Sequence, residues 1–200
     1  MSTLFRISFS LVWILSSFSL SFAQTEYKLK WEDAGGSCFN YSVFQNEQKL
    51  TLPSHIQKSL DCPYMVGLKA NFLVFVDELK VKLYNLKSKK EFELFQLYND
   101  IDGFSGPAWS DKSNEVLFVV INQEQKHGYS AMCRIIYVRL NKFGDIKDKR
   151  KFDRPVNFEC GSICGSEPDN DFRFNSKGNI EFRKHLMLTD GDEIWEEIEL

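Results

Sequence analysis

Apolar and polar positions alternate through much of the first half of this chain, as in YKLKW at 27–31, FNYSVF at 39–44, VKLYNL at 81–86 and EFELFQL at 91–97. A period of two predicts β-strands with one buried face. Two runs, FLVFV at 72–76 and VLFVVI at 116–121, are instead apolar throughout, which is expected of strands covered on both faces. Between these runs lie short polar links: Gly35-Gly36, 46–48, Asp77-Glu78, 87–90, NKFGD at 141–145, NSKGN at 175–179 and Asp190-Gly191. Glycine and asparagine accept the backbone angles that tight hairpin turns require, so each link predicts a reversal of the chain.

The strands fall into meanders. FLVFV aligns with VLFVVI, VKLYNL with IIYVRL at 135–140, and EFELFQL with IKDKRKF at 146–152. The last of these is heavily charged, as suits an exposed edge strand. The segment between Pro53 and Pro63 is the least regular. It predicts either one short helical turn over 54–60 capped by Ser54 or an ordered loop, with His55 as ordinary surface. Residues 122–130 and 153–171 are polar enough to read as long loops. The fold class is therefore all-β, built from repeated antiparallel meanders at about 64–97, 104–152 and 172–199.

The N-terminus changes the picture of where the protein resides. A short start carrying Arg6, an apolar run over 7–20 and small residues at Ser21 and Ala23 predict a signal peptide over 1–23, leaving 24–200 as a single all-β domain. No later stretch is apolar enough to span a bilayer. The expected location is secreted or periplasmic, which permits disulfides. There are five cysteines, so the odd count leaves at least one thiol outside intramolecular pairing. Cys160 and Cys164 flank a short loop and form the first expected pair, Cys38 and Cys62 the second, and Cys133 is expected as a buried thiol. Asn40-Tyr41-Ser42 is a glycosylation sequon.

The net charge is -3, and the basic cluster over 147–154 is interleaved with Asp148 and Asp153, so no nucleic-acid partner is expected. Acidic turns at 99–103 and 169–171 lack a full calcium ligand series and read as ordinary turns. Neither a metal nor a cofactor is expected.

Gly106-Pro107-Ala108-Trp109-Ser110, followed by Val116-Leu117-Phe118, resembles the WD-like β-propeller repeat of TolB-type proteins. Residues 174–182 look like a second, shortened copy and 68–75 like a fainter third. The turn over 111–114 departs from the family's Asp-Gly corner. The resemblance implies four-stranded blades stacked radially, with Trp109 packing at a blade corner and no catalytic residue carried across. A blade takes about 40 to 50 residues, so three architectures remain open: a partial propeller-like stack, a small four-bladed ring, or a β-sandwich or barrel of successive meanders.

No HExxH, phosphate-binding glycine loop or GxSxG elbow occurs. A Cys133/His127/Asp constellation can be drawn, because a thiol needs a nearby base, but many chains of this composition would allow the same drawing. Aromatic and histidine side chains near loops are the candidate binding residues: Tyr129, His127, Phe104 and Trp195. The expected function is that of an exported non-enzymatic binding protein using loops on a β scaffold to recognise a protein or glycan. The alternatives are an exported hydrolase with a dispersed active site and an envelope structural or assembly protein.

Overall fold

The structure, a computed structural model, describes residues 25–36, 38–97, 103–127, 130–157, 172–184 and 194–198. The expected signal peptide over 1–23 and the Cys160–Cys164 pair lie outside the described residues. Within them the chain is all-β and antiparallel, with one short helix. Strands β1 (Tyr27–Gly35), β2 (Cys38–Gln45) and β3 (Gln48–Lys49) form the first sheet, followed by α1 (Ser54–Ser59). The second sheet holds β4 (Val66–Lys69), β5 (Phe72–Asp77), β6 (Lys80–Asn85) and β7 (Lys90–Gln96) in chain order. The third holds β8 (Gly103–Trp109), β9 (Glu115–His127), β10 (Ser130–Leu140) and β11 (Ile146–Asn157). The fourth holds β12 (Phe172–Phe174), β13 (Ile180–Lys184) and β14 (Ile194–Ile198). None of the four closes into a barrel.

The two wholly apolar runs become the central strands that their composition predicts. On β5, Phe72, Val74 and Val76 point toward the third sheet, where they meet Val116, Phe118, Ile136 and Val138. The alternate residues Leu73 and Phe75 point the other way, onto Val43 of the first sheet and onto Ile56 and Leu60 of the helix. Strand β9 repeats the arrangement: Leu117 and Val119 join Ile135 and Tyr137 against Phe172, Ile180 and Phe182 of the fourth sheet. Three apolar layers thus separate four sheets. Burying a large side chain in such a layer stabilises by about 1.5–3 kcal/mol relative to exposing it.

The end sheets are half-solvated, which explains their stricter alternation. Tyr27 and Leu29 pack inward, while Lys28 and Lys30 face out and pair with Glu47 at 3.2 and 2.7 Å. The helix does not use the expected cap: Pro53 occupies the N-cap position, no side chain caps it, and Ser54 is already helical. What holds it is the burial of Ile56 and Leu60. Beside it the Cys38–Cys62 disulfide joins β2 to the segment leading into β4. Closing a loop of that length stabilises by about 3 kcal/mol on the chain-entropy account.

The first strands of successive sheets are neighbours, with β1 beside β4, β4 beside β8 and β8 beside β12. Gly67 makes the middle contact possible, since a Cβ there would overlap the Pro107 ring. At one end of the second, third and fourth sheets, five turns are stitched together. Asn71 Nδ2 donates to Asn85 Oδ1 at 2.8 Å, and Asn85 Nδ2 donates to the Phe143 carbonyl at 2.5 Å. Leu140 N–H donates to the Asn114 carbonyl at 2.8 Å, and the Lys112 ammonium reaches the Ser176 carbonyl. Asn85 is buried and also accepts from the Lys87 and Ser88 N–H groups at 3.0 and 3.1 Å. Its amide therefore satisfies the turn that it starts and the one beside it.

Gly67→Ala is expected to lower stability by about 1–3 kcal/mol by pushing β4 off β8; urea unfolding measures it, and an unchanged midpoint would show that the contact is not constraining.

Candidate binding surface

Strands β8, β12 and β4 all run toward the stitched turns, so the opposite end of the stack is where β8 and β12 begin and where β9, β11 and β13 finish. At that end the third sheet outgrows its neighbours. The first residue of β8, Gly103, pairs with Ile121, and β9 continues to His127, beyond the last β8 partner among the described residues. On the other side, Ser130, Ala131 and Met132 of β10 remain paired with Asn157, Val156 and Pro155 of β11. Between Ala131 and Cys133 the register against β9 jumps from Lys126 to Ile121, a bulge that sets the tip apart from the ladder below. The result is a β-arm made from the ends of β9, β10 and β11, to which β9 contributes the polar run NQEQKH.

This corrects the reading of 122–130 as a loop. Residues 122–127 and 130 are strand, as are 153–157. The sequence INQEQKH at 121–127 has no apolar alternation to betray a strand, and only its pairing with β10 reveals one.

The candidate binding residues are placed unevenly. Phe104 pairs with Val120 at the base of the arm, and His127 pairs with Ser130 at its tip. Tyr129 lies outside the described residues. Trp195 is half-buried on β14, and the structure does not bring it onto the arm. Its ring lies on the outer face of the fourth sheet, with the Arg173 guanidinium 3.8 Å from the ring centroid. Arg173 in turn pairs with Glu181 at 3.1 Å, so the ring belongs to a polar row across the sheet. Asn175 and Asn179 extend that row by donating to Glu197 at 3.0 and 2.6 Å.

Two clusters of polar side chains escaped the sequence. The first is at the Trp109 corner, where Glu115 accepts from Ser113 Oγ at 2.7 Å, from Tyr137 Oη at 2.8 Å and from Arg139 Nε at 2.7 Å. Burial alone would raise the Glu115 carboxyl, but these three donors outweigh it and hold the group below the usual carboxylate range. Burial, followed by the bond to Glu115, pushes the Tyr137 phenol up to about 12. The second cluster joins the helix to the second sheet. His55 Nε2 lies 2.7 Å from Glu91, and Lys82 bridges Glu91 and Asp77 at 3.0 and 2.7 Å. The surface histidine is thus tied to a carboxylate 36 positions away. The only sequence signal for it was the acidic alternation of β7.

In both clusters the polar groups are engaged with one another, and neither sets a nucleophile against a base. Cys133 is fully buried against the fourth sheet, and desolvation pushes its thiol up to about 12. A protonated, enclosed thiol is a poor nucleophile. Among the described residues no three His, Cys, Asp or Glu side chains are grouped to hold a metal ion, and no helix is long and apolar enough to cross a membrane. No protein family matches this chain, and neither a curated protein nor a solved structure is similar to it.

Two measurements check these assignments. Cys133 should resist thiol labelling in the folded protein and react only on unfolding; rapid labelling under native conditions would contradict its burial. Glu115 contributes stability that is complete above the ordinary carboxylate pKa of about 4.3 and is lost as pH falls through its lower folded value. Glu115→Gln should therefore cost about 1–3 kcal/mol at neutral pH and flatten the acid limb of a stability–pH curve; an unaltered limb would assign that slope to other groups.

Proposed function

We propose that this chain is an exported, non-catalytic binding protein that recognises a protein or glycan through the β9–β10–β11 arm. The observation that carries the proposal is the arm itself: three paired strand ends that, among the described residues, extend past β8 and are held on a stack with a closed core. A rigid scaffold with one projecting element is how β proteins commonly present a recognition surface. Of the candidate binding residues, Phe104 pairs at its base and His127 near its tip. Export rests on the pattern over 1–23, and the Cys38–Cys62 bond fits an oxidising compartment.

We further read the four sheets as blades of a partial, open propeller-like stack, in keeping with the resemblance of the Trp109 corner to the TolB-type repeat. The serial adjacency of the first strands supports this arrangement. The charged outer faces of the first and last sheets, carrying Lys28, Lys30 and Glu47 on one and Arg173, Glu181 and Glu197 on the other, favour an open stack over a closed ring. The hydrolase alternative gains nothing from the enclosed Cys133.

Replacing residues 123–130 by Asn-Gly should leave the thermal midpoint within about 4 °C while reducing retention on a glycan array, or crosslinking to partners in the exported fraction, by at least about tenfold. Retention unchanged by the shortening would refute the arm as the recognition element, and turnover on broad substrate profiling would overturn the non-catalytic reading.

A further inference from the structure

The stitched turns at the end of the stack away from the arm carry an excess of one charge. Lys87, Lys89, Lys112, Lys142 and Lys177 are all exposed there, against Asp111, Asp145 and Glu197, the last of which accepts from Asn175 and Asn179. Asp145 is already engaged by Asn141 Nδ2 at 2.7 Å, and among the described residues none of the five lysines forms an ion pair. Several lysines elsewhere are paired: Lys28 and Lys30 with Glu47, Lys80 with Glu93 at 3.2 Å, and Lys82 with Asp77. In a chain of net charge -3, this is a segregated basic face. No single segment of the sequence shows it, because the lysines come from four separate turns.

The same face exposes apolar side chains on one turn. Phe143 is 58% and Ile146 36% exposed, and both sit between Lys142 and Lys147. The turn is fixed. Asn141 Oδ1 accepts from the Phe143 and Asp145 N–H groups at 2.8 and 3.0 Å, and Asn85 holds the Phe143 carbonyl. Gly144 has φ +94°, and a Cβ there would press on Phe72 at 3.1 Å and on Asn85 at 3.3 Å. The ring therefore stays outside because the backbone cannot turn it in. The Lys142 ammonium lies 5.0 Å from its centroid.

We infer that this end of the stack docks on an anionic lipid bilayer, with Phe143 and Ile146 entering the headgroup region and the lysines meeting lipid phosphates. Cations around an exposed apolar tip are the two terms of peripheral membrane binding, burial of apolar area and attraction to anionic headgroups. The basic groups stand on the tips of neighbouring turns, which a flat surface meets together. An acidic polysaccharide would use the same charges, yet the exposed apolar pair on the 141–146 turn offers it little. Docking by this end leaves the β9–β10–β11 arm directed away from the bilayer.

Co-sedimentation of the purified full chain with vesicles tests this inference. Binding is expected to phosphatidylcholine vesicles containing about 30 mol % phosphatidylserine and not to phosphatidylcholine alone, and it should disappear at about 0.5 M NaCl. The triple variant Lys87→Glu, Lys89→Glu, Lys142→Glu should weaken it by about a hundredfold, while Lys58→Glu with Lys80→Glu, placed away from this end, should change it by less than about threefold. Phe143→Ala should weaken binding at least about fivefold, and Phe143→Trp should show a blue-shifted emission with anionic vesicles only. Equal binding to both vesicle types, or no loss in the triple variant, would overturn the inference. So would tighter binding to heparin than to anionic vesicles with Phe143→Ala neutral, which would assign the face to an acidic polysaccharide.

Discussion

The structure depends on one constraint: two consecutive sheets in this chain are covered on both faces. A sheet with a single buried face can end a stack, but β5 and β9 present apolar side chains in both directions and must lie between layers. FLVFV cannot satisfy Leu73 and Phe75 without the helix and first sheet, nor Phe72, Val74 and Val76 without the third. VLFVVI imposes the same requirement on the third and fourth sheets. The order of layers is thus set by two short runs, and the half-polar end sheets stop the series on each side.

Given that stack, its two ends differ in kind. At one end the chain reverses in tight turns joined by buried amides, with Asn85 satisfying two turns at once. A buried amide with all its partners fixes geometry more narrowly than apolar contact does, since leaving any one group unpaired costs about 1–3 kcal/mol. That end is rigid and basic. At the other end the third sheet runs on into an arm made from the paired ends of β9, β10 and β11. The chemistry one would associate with catalysis, a thiol, a histidine beside a carboxylate and a phenol beside a glutamate, is used internally to bind layers and corners together.

How much of this was legible in the sequence follows from where the signals reside. Strands with a buried face announce themselves by period, so the meanders, the two-sided strands and the charged edge at β11 could be read directly. Cys38 and Cys62 were readable as a pair, though only as the second choice. The arm was not, because INQEQKH carries no hydrophobic period and resembles a loop. Nor was the helix start legible: Ser54 looked like a cap, but Pro53 took that position and packing of Ile56 and Leu60 decided the helix. The His55–Glu91 pair, the Glu115 cluster and the basic face each join residues distant in sequence, and only the folded turns bring them together. Of the candidate binding residues, Phe104 on β8 and His127 on β9 fall in the third sheet, whereas Trp195 is drawn into the polar row beneath Arg173.

Above a tightly layered core, the proposed recognition arm is expected to be paired yet covered by no further layer. Amide hydrogen exchange followed by mass spectrometry tests it most directly, since exchange reports the free energy of opening segment by segment. Residues 72–76, 116–119 and 135–138 should exchange only through global unfolding, and 122–127 with 130–132 should exchange faster by about a hundredfold or more. Equal protection of the arm and of 116–119 would contradict the account, because it would mean that another layer covers the arm.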